Sequence, residues 1–159
     1  HPVAHSFPTR RSSDLAGIDD IYVVFRPGTD IPSGDFIPVI NPCPEQGQLS
    51  SLQSALKIVY PCPFMMQLVD RPLVKAETFR AMMDAGGKAV VIPSFGGRRG
   101  HPVFFPPQMR DILLSLQEGE TIGDGIRKWS GETVILPVED PAVLWNIDTP
   151  EALEKYGRI

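Results

Sequence analysis

Phe64-Met65-Met66-Gln67-Leu68-Val69-Asp70-Arg71-Pro72-Leu73 is the stretch on which the fold turns. Six mostly apolar residues lead into an aspartate, and Pro72 stops a strand from continuing. A short apolar run closed by a breaker is the pattern of a strand buried in a parallel sheet. Ligands of open α/β sheets sit beyond the carboxyl ends of the strands, so Asp70 is expected at that rim. A carboxylate there suits Mg²⁺, which takes one or two protein oxygens and completes its shell with waters and substrate phosphates. The same aspartate also fits the N-cap of a helix that would begin near Pro72, because Asp favours the cap and Pro the first helical position. Both readings stand on these ten residues alone.

On either side, apolar runs alternate with helical spacings. Before the stretch, Ile21-Tyr22-Val23-Val24-Phe25 reads as a strand and residues 26–38 as a Gly/Pro/Asp-rich loop. Phe36-Ile37-Pro38-Val39-Ile40-Asn41 reads as a second short strand. Leu49, Leu52 and Leu56 then recur at helical spacing. After it, residues 75–85 are amphipathic through Phe79, Met82 and Met83 and stop at Gly86-Gly87. Residues 88–93 and 133–138 read as further strands, and residues 107–117 and a short piece from Gly123 as helices. Val143-Leu144-Trp145-Asn146-Ile147-Asp148 is expected to be the last strand, ahead of a helix capped by Thr149 with Pro150 first. Strand–helix alternation predicts an α/β three-layer sandwich with a mostly parallel sheet.

At 159 residues the chain fits one domain with a real core. Net charge is −4, with 42% hydrophobic and 21% charged residues, so no basic excess marks a nucleic-acid surface. No apolar run reaches the ~18 residues of a membrane span. Cys43 and Cys62 sit in Pro-Cys-Pro triplets without C-x-x-C spacing, which argues against zinc and fits a reduced cytoplasmic pair. Nothing reads as a secretory signal, so a cytoplasmic location is expected. Residues 1–15, with their Arg10-Arg11-Ser12-Ser13 centre, look like a translated sequencing-adapter leader rather than domain. The domain is accordingly expected over residues 16–159, with its natural beginning lost. Leu15-Ala16-Gly17 lacks the glycines, the basic residue and the helix of a phosphate loop.

Three groups of residues could carry chemistry. Asp70 and Asp148 each end an apolar run and precede a proline, so in a parallel sheet both could meet one Mg²⁺ at a shared edge; the alternative is two separate caps. Asn146, two residues before Asp148, would share its strand face. Gly96-Gly97-Arg98-Arg99-Gly100-His101-Pro102 offers backbone access, guanidinium forks and an imidazole to an anionic substrate, or is simply a solvated hairpin turn. His101, beside a turn proline, fits a structural role better than that of a base. Gly47, Gln48, Ser50 and Ser51 open a helix, where free N–H groups favour an anion, or else are turn and capping residues.

Taken in order, Gly47-Gln48-Leu49-Ser50-Ser51-Leu52, Leu68-Val69-Asp70-Arg71-Pro72-Leu73-Val74, Gly100-His101-Pro102-Val103, Gly123-Asp124-Gly125 and Asn146-Ile147-Asp148-Thr149-Pro150-Glu151 resemble the MobA-like nucleotidyltransferases, most of all their molybdenum cofactor cytidylyltransferase branch. The resemblance implies a Rossmann-like sandwich of the nucleotide-diphospho-sugar transferase type. It implies transfer of CMP from CTP (or of GMP from GTP) to a molybdopterin-type phosphorylated acceptor, with release of pyrophosphate. It further implies Mg²⁺ on Asp70, with Asp148 or Asn146 supporting the metal or the acceptor. Gly47, Gln48, Ser50 and Ser51 would lie along the nucleotide, and Arg99, Gly100 and His101 would border the acceptor. The family's first strand and Leu-Ala-Ala-Gly-type phosphate loop have no counterpart here, so a weak or inactive chain is expected, with self-association or docking to a molybdoenzyme or chaperone as its outside contacts. The alternatives are a related transferase for a sugar or alditol phosphate and a non-catalytic nucleotide-binding module.

Overall fold

β4 (Val90–Phe95) forms the centre of the main sheet, because Val-Val-Ile-Pro-Ser is buried without a break. It pairs in parallel with β7 (Thr133–Pro137) and antiparallel with β6 (Val103–Phe105), which pairs antiparallel with β3 (Phe64–Met66). β3, β4 and β7 therefore run one way, and the sheet is mostly parallel in strand direction with β6 reversed between β3 and β4. A tight turn causes the reversal. Gly96 and Gly97, at φ 57° and 77°, fold the chain from β4 into the two-residue β5 (Arg98–Arg99) and on through a cis His101-Pro102 peptide. Side chains with a Cβ rarely take those φ values, so glycine is required there. β1 (Tyr22–Phe25) and β2 (Ile37–Ile40) form a separate parallel pair. The computed structural model describes residues 17–156, so residues 1–15 lie outside the described residues.

Helices cover both faces of the main sheet: α1 (Gln48–Leu56), α2 (Ala76–Gly86), α3 (Met109–Ser115) and α4 (Ile122–Lys128); a last helix, α5 (Pro150–Tyr156), buries none of its residues. Alternation along the strands divides the core. Val90, Ile92, Val103 and Phe105 meet Leu49, Leu52 and Leu56 of α1 and Met109 and Leu113 of α3. Val91 and Phe104 face the other way, onto Met82 of α2. That period of two within β4 and β6 makes the three-layer sandwich. Each fully buried Phe or Met here contributes about 1.5–3 kcal/mol of burial. Gly86 lies against Phe104, and a Cβ there would fall 2.3 Å from its ring.

Three expectations are corrected. The run that opens the sequence analysis yields a strand of only three half-buried residues, Phe64–Met66, paired antiparallel, and Val69 is 49% exposed. No helix begins near Pro72; α2 begins at Ala76 with Lys75 at its cap. The expected strand over residues 143–148 does not form. Pro141 begins a 3₁₀ turn, Pro141–Leu144, because Asp140 caps it by accepting from the Ala142 N–H and Pro has no N–H to pair in a ladder. Asn146 and Asp148 consequently do not share a strand face. The Thr149 cap, by contrast, is present, its hydroxyl accepting from the Ala152 N–H at 3.1 Å.

Candidate active site

The loop that follows β3 ties itself and its neighbours together. The Arg71 N–H donates to the Leu68 carbonyl at 3.1 Å, closing a turn over residues 68–71, and the Gln67 amide nitrogen donates to the Arg71 carbonyl at 2.8 Å. The Asp70 carbonyl then accepts from the Ile147 N–H at 2.6 Å. Ile147 is 2% exposed and anchors this crossing, while Asn146 and Asp148 on either side of it are exposed. The backbone thus brings Asp70 beside residues 146–148, across more than seventy residues of sequence. Asp70 caps no helix.

A second convergence lies at the Val143 carbonyl. It accepts from Arg71 Nη1 at 2.9 Å and from the His101 N–H at 3.0 Å. Gly100 is pinned from the other side, its N–H donating to the Pro93 carbonyl of β4 at 2.8 Å. A Cβ on Gly100 would sit 2.3 Å from the Val143 oxygen, so glycine is required by close approach rather than by φ. Burial, and then the nearby charge of Arg71, lower the His101 pKa from 6.5 to about 4. His101 is therefore neutral at pH 7, able to give and accept a hydrogen bond without adding charge. Arg99, on β5, is exposed.

Four buried side-chain atoms among the described residues have no hydrogen-bond partner: Gln67 Oε1, Asp70 Oδ1, Arg71 Nε and His101 Nδ1. All four belong to this one corner. Unpaired buried polar atoms are costly and rare, and they concentrate where a ligand completes the set. Among the described residues no three His, Cys, Asp or Glu side chains are grouped to hold a metal. The available carboxylate oxygen is Asp70 Oδ1, with Asp148 exposed close by in sequence to its backbone partner. That donor chemistry, one or two carboxylates and no sulfur or imidazole cage, fits Mg²⁺ or Mn²⁺ completed by water and phosphate.

The four residues expected along a nucleotide sit elsewhere, at the start of α1. Gly47 and Gln48 are exposed there. Ser50 is buried, and its hydroxyl is bonded inside the fold, to the Gly47 carbonyl at 2.9 Å and the Cys43 carbonyl at 3.0 Å. Both Ser50 and Ser51 accept from the Asn41 amide, at 2.8 and 3.0 Å, while Asn41 Oδ1 accepts from the Cys43 N–H at 2.9 Å. Asn41, 1% exposed, is the organising residue of that corner. No hydrogen bond joins it to the Asp70 corner among the described residues.

Sequence reasoning passed over Asn41 and Asp140. Asp140 is 2% exposed and accepts from the Lys75 N–H at 2.9 Å and the Thr78 hydroxyl at 2.7 Å, as well as from the Ala142 N–H at 3.1 Å. It fixes the turn that carries Val143. The signal was present, an Asp directly before a Pro, the same pattern that identified Thr149-Pro150. Two shallow surface hollows, of about 520 and 480 Å³, lie away from the Asp70 loop, the first beside Trp129 and Gly87 and the second beside Glu139 and Lys75. Cys43 and Cys62 are both free.

The sequence matches the family model for the MobA-like NTP transferase domain over residues 9–134. That span contains Gly47 to Ser51, Asp70 and Arg99 to His101, and stops before Asn146 and Asp148. No curated protein sequence matches the chain significantly. Among solved structures, it is similar to Rv0371c of Mycobacterium tuberculosis H37Rv in complex with manganese, at 21% identity over 94% of this chain and 83% of that one, TM-score 0.72. It is similar to 2-C-methyl-D-erythritol 4-phosphate cytidylyltransferase from Thermus thermophilus, at 15% identity over 94% and 87%, TM-score 0.69. It is also similar to molybdopterin-guanine dinucleotide biosynthesis protein A from Archaeoglobus fulgidus, at 20% identity over 75% and 65%, TM-score 0.54. At these identities the likeness is one of fold, a Rossmann-like α/β sandwich.

Proposed function

We propose, from the premise that this chain belongs to the MobA-like NTP transferase domain family of nucleotidyltransferases, that it moves CMP from CTP to a molybdopterin-type phosphorylated acceptor and releases pyrophosphate. A phosphate oxygen of the acceptor attacks the α-phosphorus of CTP, the bond from that phosphorus to the β-phosphate bridging oxygen breaks, and pyrophosphate leaves with the electron pair. Phosphoryl-type transfer depends almost wholly on positioning and charge stabilisation, so the protein's task is to hold two anions in line. A bound Mg²⁺ would supply charge screening on the α- and β-phosphates. Asp70 and Asp148 are the residues that would hold it.

One observation carries this reading: the Asp70 carbonyl bonded to the Ile147 N–H, with Asp70 Oδ1 buried and unpaired. A carboxylate kept only for stability would have found a donor, as Asp140 did three times over. Asn146 and Asp148 flank the crossing and are free to meet ligand. Gly100 and neutral His101 border the acceptor side, with Arg99 of the hairpin offering a guanidinium to its phosphate. Gly47, Gln48 and Ser51 are the groups at the start of α1 still open to a nucleotide; Ser50 shapes the loop that presents them. The reaction is assigned to the cytoplasm, where nucleoside triphosphates are plentiful and free thiols persist. No helix among the described residues is long and apolar enough to cross a membrane.

Pyrophosphate release with CTP or GTP, Mg²⁺ and molybdopterin tests the assignment. Turnover with CTP well above GTP is expected, and equal turnover would overturn the base assignment. Replacing molybdopterin with an alditol phosphate separates this reading from the sugar-phosphate alternative.

A further inference from the structure

Residues 67–71 carry two buried side-chain oxygen acceptors with nothing bonded to them. Asp70 Oδ1 is the first. The second is Gln67 Oε1. The orientation of the Gln67 amide is fixed by its own bond: the nitrogen donates to the Arg71 carbonyl at 2.8 Å, which leaves the oxygen as the free end. Of the turn's own donors, the Arg71 N–H goes to Leu68 and Arg71 Nη1 to Val143, while Arg71 Nε is itself unpaired and bonds to neither oxygen. An unpaired buried amide oxygen is costly, and a loop this heavily tied has no structural need of one.

We propose that Gln67 is a further oxygen donor for the divalent cation, acting with Asp70 either directly or through one held water. This rests on the assignment of Asp70 as the cation-holding residue. Hard divalent cations take amide carbonyl oxygens alongside carboxylates, and each such oxygen at a Mg²⁺ or Mn²⁺ site replaces a water without adding charge. Gln67 thereby does two things with one side chain: its nitrogen closes the turn and its oxygen completes the donor pair.

The test is titration of the full chain with Mn²⁺ alone, followed by electron paramagnetic resonance, on the parent and on Gln67→Met, Gln67→Glu and Asp70→Asn, with thermal unfolding of each as a check on folding. Gln67→Met is expected to weaken Mn²⁺ binding by about tenfold or more. Gln67→Glu should bind Mn²⁺ at least as tightly as the parent, because it restores an oxygen at the same place. Both variants lose the amide bond to the Arg71 carbonyl, so a role confined to tying the loop would weaken both alike, and that result overturns the proposal. It is equally overturned if Asp70→Asn abolishes binding while Gln67→Met keeps the parent affinity. Parent-like Mn²⁺ binding by Asp70→Asn, or none by the parent, would instead remove the assignment of Asp70 itself, and this inference with it. Should Gln67→Met fail to fold, weaker binding by Gln67→Glu than by the parent suffices to reject it.

Discussion

Two corners of this molecule are both built on polar side chains and end in opposite states. Around Asn41, an amide, two hydroxyls and three backbone groups bond one another until the buried groups are satisfied. Around Asp70, Arg71 Nη1 and the His101 backbone N–H meet at the Val143 carbonyl and Gln67 bonds the Arg71 carbonyl, yet the Gln67 amide, the Asp70 carboxylate, the Arg71 guanidinium and the His101 imidazole each keep one buried atom unpaired. A closed polar network stabilises its loop and offers a ligand only the groups at its edge. An open one lowers stability and holds donors and acceptors ready. The contrast separates scaffold from site without reference to residue type.

The largest expected effect sets the two corners furthest apart. Asp70→Ala should cut Mg²⁺-dependent pyrophosphate release by about 10²-fold or more while thermal stability stays near that of the parent, since no hydrogen bond is lost from its side chain. A matching loss of stability would mean that the Asp70 corner is closed after all. His101 gives the next effect. Its pKa is near 4 in the fold against an ordinary 6.5, so the unfolded chain binds more protons between those values. Stability is then full above pH 6.5 and falls as the pH drops towards 4, by up to about 3 kcal/mol. Urea unfolding across that range should show the slope in the parent and a flatter one in His101→Gln; identical slopes would refute the burial of a neutral imidazole.

Asn41→Ala should cost about 2 kcal/mol in the same unfolding measurement, because it strands Ser50, Ser51 and the Cys43 N–H together. A neutral result would dissolve the distinction between the corners. Smallest are the serines. Ser50→Ala is expected to cost about 1 kcal/mol of stability, and Ser51→Ala less. Calorimetric titration with CTP and Mg²⁺ sharpens the comparison, since Ser51→Ala should weaken nucleotide binding more than it weakens the fold.

The elements carried by strong periodicity were legible in the chain. Leu49, Leu52 and Leu56 marked α1, and Phe79 and Met82 marked α2 up to its glycine stop. Val90–Ile92 marked the central strand and Thr149-Pro150 the last helix. The two misread stretches, residues 64–69 and 143–148, are apolar without period, and apolarity alone cannot tell a strand from an irregular segment that is buried for other reasons. The first forms a strand only over Phe64–Met66 and is irregular beyond it, and the second opens in the 3₁₀ turn Pro141–Leu144; the two meet at the Asp70 carbonyl and the Ile147 N–H, a long-range bond outside any ladder.

The sequence by itself determined the alternating α/β order, the burial of both sheet faces and the candidate residues Asp70, Gly100 and His101, because those follow from local spacing and residue chemistry. Tertiary structure alone decided the reversed direction of β6 and the meeting of Asp70 with residues 146–148. It also decided which polar groups bond one another and which are left open. The physical reason is that a hydrogen bond is settled by which partner reaches a buried atom first in three dimensions, and partners here lie up to seventy-seven positions apart in a chain whose local pattern carries no record of them.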